Sequence, residues 1–563
     1  MGAQMTVGES LDRDNEVDGA GPGPNDRRLA LVVGVIGSIV AVVAARGRFP
    51  GIGNDAVSYI AIADHVADGR GLGYFLESPL GLWPPGWPLV LAFFRWAFDI
   101  DPQHTALVIN ALCPIAVALL TRSIMRMLTN DRRLIAVGII VATLGPATLS
   151  QMYFVQTEPT FIVLTLLSIW SLYRFSGSAR TPGGTRWWFL VLAIVTQWVA
   201  FMDRYVGLVL IGSGALWLVF DRGFPTFSQR LRNGLVFFAG SVVVPGAWIV
   251  RNQIVVGSPF GIRDTPIATY KTNAIDAITS VGQYIHGYSA YEPFTGLARL
   301  ATWGLLACCG VGALVLLRRA LAARRARLGA DAAPLGPGDF LGHRVGLLAI
   351  YAAAHWAYMI YSASTIAFDP VNTRYLVPMF VPTLMVALVL IDKGAFGLRA
   401  NADRRGDWVV KLAGVGLVAF LVVQLGVGAV RMSASYWTDL AQRYNSDTAV
   451  RIQDSDVFDQ IPDDCRLYSN FPEFTYLAGV EAQRSARITK FASSDRQTDL
   501  ADLHRAIDED GDSVCLIWVD DDASDVFDHP SYQYPLRTFE EQFELEQVAG
   551  DDDVAVYRIH PAT

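Results

Sequence analysis

Long apolar segments separated by short polar ones dominate the first 430 residues of this 563-residue chain. Runs of roughly 17–22 apolar residues are typical of helices that cross a lipid bilayer. We predict eleven spans, near residues 29–46, 104–123, 134–150, 158–174, 187–202, 205–220, 234–250, 297–317, 345–361, 374–391 and 410–430. Residues 84–98 are apolar but short and begin with prolines, which indicates an interfacial or re-entrant helix.

After residue 430 the pattern changes to short segments with strand character. Strands are predicted at 466–470, 514–519, 543–548 and 554–559, and helices near 472–479 and 498–509. This pattern indicates a small α/β domain at 431–563, which follows a transmembrane domain at 29–430. Residues 1–28 are polar, acidic and rich in Gly and Pro, so we predict a disordered tail there. The predicted fold class is a polytopic α-helical membrane protein with a small C-terminal α/β domain.

Composition supports a membrane protein and limits its partners. Hydrophobic residues make up 52% of the chain and charged residues only 17%, whereas soluble proteins carry about a quarter charged residues. The net charge of -8 comes mostly from the C-terminal part, which argues against binding to nucleic acid. Cys465 and Cys515 both fall in that part, and whether they pair stays open at this point. No His/Cys spacing resembles a zinc site.

Basic residues show which side of the membrane each loop occupies. They cluster between alternate spans, at Arg27-Arg28, Arg122–Arg133, Arg174–Arg186, Arg222–Arg232, Arg318–Arg327 and Lys393–Lys411. By the positive-inside rule this side is the cytoplasm. The sequence therefore predicts a multi-pass protein of the cell membrane, with a cytoplasmic N-terminus. Two outer loops, at 47–103 and 251–296, and the C-terminal domain are predicted to be extracytoplasmic.

The same orientation places several charged residues together at the outer ends of helices. They are Asp55, Glu158, Asp203, Arg204, Arg251 and Arg374. The charge rule concerns the opposite face, so it does not require this grouping. Ionisable groups at membrane depth are costly unless they have partners or a task. A shared outer cavity is the simplest explanation.

Asp55 opens a short amphipathic helix in the first outer loop. We predict Asn54 as its N-cap, an end near Asp68 and Gly69, and an apolar face, which includes Ile60, for the membrane surface. The positive end of the helix dipole favours an ionised Asp55, which could accept a proton from an attacking hydroxyl. The alternative is that Asp55 only caps the helix. Glu158 precedes Pro159 at a helix start, where a glutamate is also electrostatically ordinary.

Arginine forks suit phosphate oxygens, so Arg204, Arg251 and Arg374 are candidate ligands for a lipid-linked phosphate. Each of them is alternatively a snorkelling anchor, and Asp203 and Arg204 are alternatively partners of each other. The outer-loop aromatic residues suit sugar rings but also suit a membrane-interface belt. Tyr59, His286 and Tyr375 are the candidate substrate contacts, and His355 has the pattern of a packing or hydrogen-bonding residue.

These motifs, in this order, resemble the polyprenyl-phosphate-sugar glycosyltransferases with the GT-C fold. That class includes the protein O-mannosyltransferases and the lipid A aminoarabinose transferases. The resemblance covers roughly residues 29–430. It consists of Asp55 with Tyr59, Pro84-Pro85 with Pro88, Thr157-Glu158-Pro159, Arg204-Tyr205 with Gly207, Arg251-Asn252 with Gly257-Ser258-Pro259-Phe260, and Arg374-Tyr375-Leu376 with Pro378.

The resemblance implies transfer of one sugar from a polyprenyl phosphate to an acceptor glycan, lipid or protein on the outer face, with inversion. It implies that Asp55 is the base and that Glu158, the second catalytic residue, holds the acceptor or a sugar hydroxyl. No metal or other cofactor is required, because arginines can offset the phosphate charge. The chain departs from the pattern at one position. Protein O-mannosyltransferases carry an Asp-Glu pair in this loop, whereas Ala56 follows Asp55, which weighs against a Ser/Thr protein acceptor.

Two other functions use the same residues differently. In a transporter or flippase for lipid-linked sugars, the outer charges bind cargo and do not react with it. Transporters usually place such sites near the membrane midplane, between inverted repeats, and this sequence shows no internal repeat. In a non-catalytic assembly subunit of the cell envelope, the core is inactive, and the absence of a Glu after Asp55 is the observation that favours this alternative.

Overall fold

The computed structural model describes residues 24–45, 51–75, 78–180, 184–263, 265–286, 344–367, 369–400, 447–486, 492–493, 500–510, 513–520 and 534–561, with short pieces between 416 and 430. The predicted span at 297–317, most of the one at 410–430 and residues 1–23 of the predicted tail lie outside these ranges. The other nine predicted spans can be compared with the structure.

All nine of those spans are helical. Within the described ranges, seven helical segments are long and apolar enough to cross a membrane: Asn25–Ala44, Pro102–Arg126, Arg132–Leu149, Glu158–Ser178, Phe227–Val255, Arg344–Thr365 and Thr373–Leu390. Trp188–Asp203 and Gly207–Phe220 are shorter apolar helices. The chain is therefore a multi-pass membrane protein.

In chain order, the elements of the membrane part are α1 (Pro24–Ala44), α2 (Asn54–Ala67), β1 (Gly73–Tyr74), β2 (Ser78–Pro79), α3 (Gly86–Phe98), α4 (Pro102–Met125), α5 (Arg132–Leu144), α6 (Pro146–Leu149), α7 (Glu158–Ser178), α8 (Trp188–Asp203), α9 (Gly207–Phe220), α10 (Phe227–Ser241), α11 (Val243–Val255), β3 (Ile262–Arg263), α12 (Tyr270–His286), α13 (Arg344–Thr365) and α14 (Thr373–Ala400). The short α2 and α3 lie between the first two long helices, in the predicted first outer loop.

Helix α2 forms where it was predicted, with two corrections. Its N-cap is Gly53, not Asn54, and no side chain caps its first turn. Gly69 follows the C-cap Asp68 with φ 76°, a left-handed conformation that favours glycine, so the predicted end is confirmed. The apolar face does not lie on the membrane surface. Ile60 and its neighbours are buried against protein, because α3 and the C-terminal domain cover this helix.

Helix α3 is the predicted short apolar helix. Its 13 residues span about 20 Å, too little to cross a bilayer. Trp87, Leu91 and Ala92 are buried, whereas Phe93 and Trp96 on the other face are exposed. An exposed aromatic face beside membrane spans is typical of a helix that lies in the interface.

The C-terminal part is the predicted α/β domain, and its elements are α15 (Asp447–Gln453), β4 (Arg466–Ser469), α16 (Pro472–Leu477), β5 (Gln483–Arg484), β6 (Ala492–Ser493), α17 (Leu500–Asp510), β7 (Val514–Val519), α18 (Leu536–Gln542), β8 (Phe543–Gly550) and β9 (Val554–Pro561). Five strands form one sheet in the order β5-β4-β7-β9-β8. Strand β4 is parallel to β5 and β7, and the other pairs are antiparallel. Cys465 and Cys515 form a disulfide, with their Cα atoms 5.5 Å apart.

One hydrophobic cluster joins the first outer loop to the C-terminal domain. It contains Val57 and Ile60 of α2, Leu91 of α3, and Phe474 and Ile517 of the C-terminal domain. The membrane helices have a separate core, and a third cluster fills the other side of the sheet. Strand β3 also pairs with β6, so the outer loop after α11 is hydrogen-bonded to the C-terminal part. The sheet domain is therefore packed on the predicted outer loops of the membrane domain.

Gly86, the first residue of α3, lies directly against the last turn of α8. A Cβ atom at this position would overlap the carbonyl group of Met202 and lie 2.9 Å from the backbone nitrogen of Asp203. The obstruction is backbone, so it cannot rotate away. Gly212, on α9, has no atom within 4 Å of the equivalent position.

We predict that Gly86→Ala lowers the free energy of unfolding by about 1–3 kcal/mol, the usual cost of overpacking a core. Gly212→Ala is the matched control, and it should leave stability unchanged or raise it by up to about 1 kcal/mol, because alanine favours helix. Thermal unfolding of the detergent-solubilised protein would measure both. An unchanged melting temperature for Gly86→Ala would contradict the described packing.

Candidate active site

Four helix ends bring the charged candidates to one place. Asp55 lies in the first turn of α2, and Glu158 is the first residue of α7. Arg204 directly follows α8 as its C-cap, and Arg374 is the second residue of α14. Charged residues at helix ends avoid the apolar middle of the bilayer, where they would be costly.

Arg374 bridges the two predicted catalytic carboxylates. Its Nη2 atom lies 2.7 Å from Asp55 Oδ2, and its Nε atom lies 2.5 Å from Glu158 Oε1. Arg204 Nη1 donates to the same Glu158 oxygen at 2.5 Å and to Thr157 Oγ1 at 2.8 Å. The structure therefore joins Asp55, Glu158, Arg204 and Arg374 in one ion-pair network.

Exposure changes along this network. The Glu158 side chain is 0% exposed, those of Arg204 and Arg374 are 16% and 24% exposed, and that of Asp55 is 34% exposed. Glu158 Oε2 has no hydrogen-bond partner within the described part of the chain. Buried charges persist only when they are paired, and here two guanidinium groups face two carboxylates. Asp55 is the most exposed member of the network.

Asp203 does not pair with Arg204, so that alternative is wrong. Asp203 Oδ2 instead accepts a hydrogen bond from Thr160 Oγ1 at 2.8 Å, on the first turn of α7. Asp203 and Arg204 thus both bind the start of α7, through Thr160 and through Glu158. These two contacts fix the end of α8 to the start of α7.

Arg251 lies outside the four-residue network. Its Nη1 atom donates to the Leu80 carbonyl oxygen and, at 2.9 Å, to Asn252 Oδ1. Its guanidinium carbon lies 4.9 Å from the centre of the Trp248 ring. In the described residues Arg251 therefore contacts dipoles and an aromatic ring but no carboxylate. Its predicted role as a phosphate ligand stays a prediction.

Two of the three predicted substrate contacts lie beside the network. Tyr59 is one turn after Asp55 on α2, and burial together with the Asp55 charge raises the pKa of Tyr59. The hydroxyl therefore stays protonated and can donate a hydrogen bond. Tyr375 follows Arg374 and donates from its hydroxyl to Asp369 Oδ2 at 2.8 Å. His286 is the last residue of α12, and its side chain is outside the described residues.

His355 has the hydrogen-bonding role that its pattern indicates. It is fully buried on α13, and its Nε2 atom lies 2.9 Å from the Tyr375 carbonyl oxygen. A carbonyl only accepts, so this nitrogen carries the proton. The contact supports the first turn of α14, where Arg374 lies.

Sequence reasoning missed two charged residues near the site. Asp369 binds Tyr375, and Arg263 on β3 donates to the Ala367 carbonyl oxygen at 3.2 Å. Burial lowers the pKa of Arg263, and the nearby Asp55 carboxylate is among the groups that oppose this shift. Both residues lie in outer segments, so the sidedness that selected Asp55 and Arg374 could also have found them.

No group of three or more His, Cys, Asp or Glu residues is placed to hold a metal ion in the part of the chain that the structure describes. The charged groups that meet at the site are instead two arginines and two carboxylates. That the reaction needs no metal stays a prediction from the sequence.

The far end of α2 contacts the C-terminal domain. Asp64 Oδ2 accepts a hydrogen bond from the Tyr476 hydroxyl, and Asp64 Oδ1 lies 2.7 Å from Arg95 Nη1 on α3. Burial raises the pKa of Asp64, while the bond from Tyr476 and the charge of Arg95 oppose that shift. Beyond the end of α2, Arg70 Nη1 lies 2.7 Å from Glu481 Oε1. The helix that carries Asp55 is thus fastened to the sheet domain.

Comparison with solved structures identifies the fold. The chain resembles the apo crystal structure of ArnT from Cupriavidus metallidurans, with a TM-score of 0.54, 14% sequence identity, and coverage of 93% of this chain and 97% of that one. It also resembles the same protein bound to undecaprenyl phosphate, with a TM-score of 0.52, 14% identity and coverage of 98% of each chain.

No protein-family model matches the sequence, and no curated protein does. The structural likeness shows that the chain has the GT-C glycosyltransferase fold with a C-terminal sheet domain. It spans both structures almost from end to end. The fold expected from the sequence motifs is therefore confirmed.

We predict that Glu158→Gln strongly destabilises the protein. The substitution leaves two arginines close together without the carboxylate that joins them, and breaking a buried ion pair typically costs about 3–5 kcal/mol. Glu544→Gln, at an exposed position of β8, is the matched control and should stay within about 0.5 kcal/mol of wild type. Chemical or thermal unfolding in detergent would compare them, and equal stabilities would contradict the buried network.

We also predict that Tyr476→Phe weakens the docking of the sheet domain on α2. The variant keeps the ring that contacts Phe75 but removes the hydroxyl that binds Asp64, a loss of about 1.5–3 kcal/mol for a bond to a charged group. Hydrogen exchange of the last turns of α2 should become faster. Tyr534→Phe, in the other core of the sheet domain, is the control, and equal exchange in both variants would contradict this prediction.

Proposed function

We propose that the protein is a membrane glycosyltransferase that moves one sugar from a polyprenyl-phosphate donor to an acceptor on the outer face of the cell membrane, with inversion. The fold supports this proposal, since the ArnT structures share it and one of them contains undecaprenyl phosphate. The observation that supports it most directly is the network in which Arg374 bridges Asp55 and Glu158 at the predicted outer ends of their helices.

In this proposal Asp55 is the general base. It is the most exposed member of the network, so it is the carboxylate that an acceptor hydroxyl can approach. Its oxygen takes the hydroxyl proton while the acceptor oxygen forms a bond to the anomeric carbon of the donor sugar. The bond from that carbon to the phosphate oxygen breaks, and the phosphate leaves with the electron pair. One displacement of this kind inverts the anomeric centre.

Glu158 acts in this scheme through the two arginines. It is fully buried, so in this arrangement it holds Arg204 and Arg374 in place and does not meet the acceptor. Pairing fixes the planar guanidinium groups, and each has five N–H donors. The hydrogen bonds to Thr157, Glu158 and Asp55 leave further donors on both guanidinium groups for phosphate oxygens. Fixed donors that face a developing charge stabilise the transition state.

Arg251 supplies the attraction for the phosphate in this proposal. The charges of Arg204 and Arg374 are balanced by carboxylates, whereas the described contacts of Arg251 are to a carbonyl, an amide and a ring. Arg251 therefore keeps a full positive charge that an anionic lipid headgroup can bind. The arginines carry this charge, so the proposal requires neither a metal nor another cofactor.

The positions of the basic residues support an outward-facing site. Asp26 Oδ2, on the first turn of α1, lies 3.7 Å from Nη1 of Arg126, which follows α4. The predicted cytoplasmic ends of these two helices therefore meet. Asp55, Glu158, Arg204 and Arg374 gather instead at the helix ends that the positive-inside rule assigns to the exterior. The acceptor in the proposal is accordingly a glycan, lipid or protein outside the cell.

We predict that Asp55→Asn lowers sugar transfer by about 10²–10⁴-fold, the usual contribution of a general base. Its amide cannot accept the proton from the acceptor. Asp68→Asn, at the other end of α2 where the side chain is 47% exposed, is the matched control and should transfer normally. Mass spectrometry of envelope glycans, in a deletion strain carrying each copy of the gene, would measure the loss of one sugar unit.

Full restoration of the glycan by Asp55→Asn would contradict the assignment of Asp55 as the base. A transporter or an assembly subunit would then explain a glycan defect that only the deletion causes. Measuring protein abundance alongside the glycans separates loss of chemistry from loss of folding. Transfer by the purified protein to a defined acceptor would exclude both alternatives.

A further inference from the structure

The segment from Leu80 to Gly86 is clamped between the outer ends of the membrane helices. Arg251 donates to the Leu80 carbonyl oxygen, and the Tyr205 hydroxyl donates to the Gly81 carbonyl oxygen at 2.9 Å. Gly86 lies directly against the backbone of Met202, where no side chain fits. Three contacts in seven residues give this segment a fixed path beside the hairpin that carries Arg204.

Trp83 stands out on this segment by its exposure. Leu80, Leu82, Pro84, Pro85 and Trp87 are all buried, and Gly86 has no side chain. Trp83 is only partly buried. A clamped backbone that presents one large aromatic side chain is pre-organised, so that side chain loses little entropy when a ligand binds.

Tyr59 connects Trp83 to the charged network. The two rings meet edge to face, with centroids 6.0 Å apart and planes at 76°. Tyr59 itself is 4% exposed, and the charges of Asp55, Arg374, Arg204 and Glu158 all act on its hydroxyl. Trp83 therefore lies one side chain away from the proposed base and the paired arginines.

A membrane-interface belt is the alternative explanation for an aromatic residue at this depth. The chain offers a residue that fits that explanation better. Trp96 on α3 is 73% exposed and belongs to the exposed apolar face of that helix. Trp83 instead packs into the cluster that α2 shares with the C-terminal domain, so the two tryptophans have different surroundings.

We propose that Trp83 is the platform of a sugar-binding subsite next to Asp55. Pyranose and furanose rings have apolar C–H faces that an aromatic ring covers well, while their hydroxyl groups need polar partners. Trp83 supplies the aromatic surface, and the protonated Tyr59 hydroxyl and Asp55 supply the polar contacts. This inference rests on the proposed function, and the sugar is that of the donor or of the acceptor.

The test compares lipids with and without a sugar. Purified full-length protein would be titrated with undecaprenyl phosphate and with undecaprenyl phosphates that carry mannose, arabinofuranose, galactose or glucose, and binding read by native mass spectrometry. We expect Trp83→Leu to bind the best glycosyl lipid about tenfold more weakly, the scale of one aromatic contact, and to bind undecaprenyl phosphate as wild type does. Trp83→Phe should recover part of the affinity, and Trp96→Leu should change neither.

The acceptor is separated from the donor by steady-state kinetics of the same variants. If glycosyl-lipid binding is unchanged in Trp83→Leu but KM for the acceptor rises with kcat nearly constant, the subsite holds the acceptor sugar, and the inference stands. An equal loss of binding to both lipids would overturn the inference. So would a Trp83→Leu variant in which neither lipid binding nor the acceptor KM changes. A wild-type protein that binds neither lipid would contradict the proposed function itself, and this inference with it.

Discussion

The buried carboxylate of Glu158 is the constraint on which the candidate active site depends. It lies at the start of α7 with no exposure, and it receives hydrogen bonds from the end of α8 and the start of α14. A buried charge needs such partners, so three helix ends that are remote in sequence have to meet. Arg374 also pairs with Asp55 on α2, which brings a fourth helix end to the site. The electrostatic requirement of one residue therefore sets the geometry of the whole site.

The C-terminal domain extends this constraint beyond the membrane helices. Its core is continuous with that of α2, and its Tyr476 binds Asp64, nine residues after Asp55 on the same helix. Strand β6 meanwhile pairs with β3, which carries Arg263. Two segments that present charges to the site are thus held by the sheet domain as well as by the membrane helices. Their positions depend on packing that a membrane domain alone would lack.

The features predictable from sequence are those encoded locally. The periodicity and length of apolar runs predict nine spans, the short α3 and the strands near 466–470 and 514–519. The positions of the basic residues predict that four charged residues share one face, namely Asp55, Glu158, Arg204 and Arg374. Which of these charged residues pair with each other is not encoded in the local sequence. Asp203 and Arg204 are neighbours in sequence but bind Thr160 and Glu158. Helix α2 has the amphipathic pattern of a helix that lies on a membrane surface, yet its apolar face packs against the C-terminal domain. Such partners depend on tertiary contacts that periodicity does not contain.

Arginine chemistry suggests how the site separates two tasks. Arg204 and Arg374 are neutralised by carboxylates, so their positions are fixed by strong bonds and their net attraction for an anion is reduced. Arg251 is held by a carbonyl and an amide, so it is fixed by dipoles and keeps its charge. Its carbonyl partner is that of Leu80, at one end of the segment that presents Trp83. In the proposed function, a phosphate drawn to Arg251 would therefore arrive beside the segment that presents Trp83. In the proposed function, this arrangement would couple recognition of the lipid phosphate to placement of the sugar, because the segment that presents Trp83 also binds Arg251.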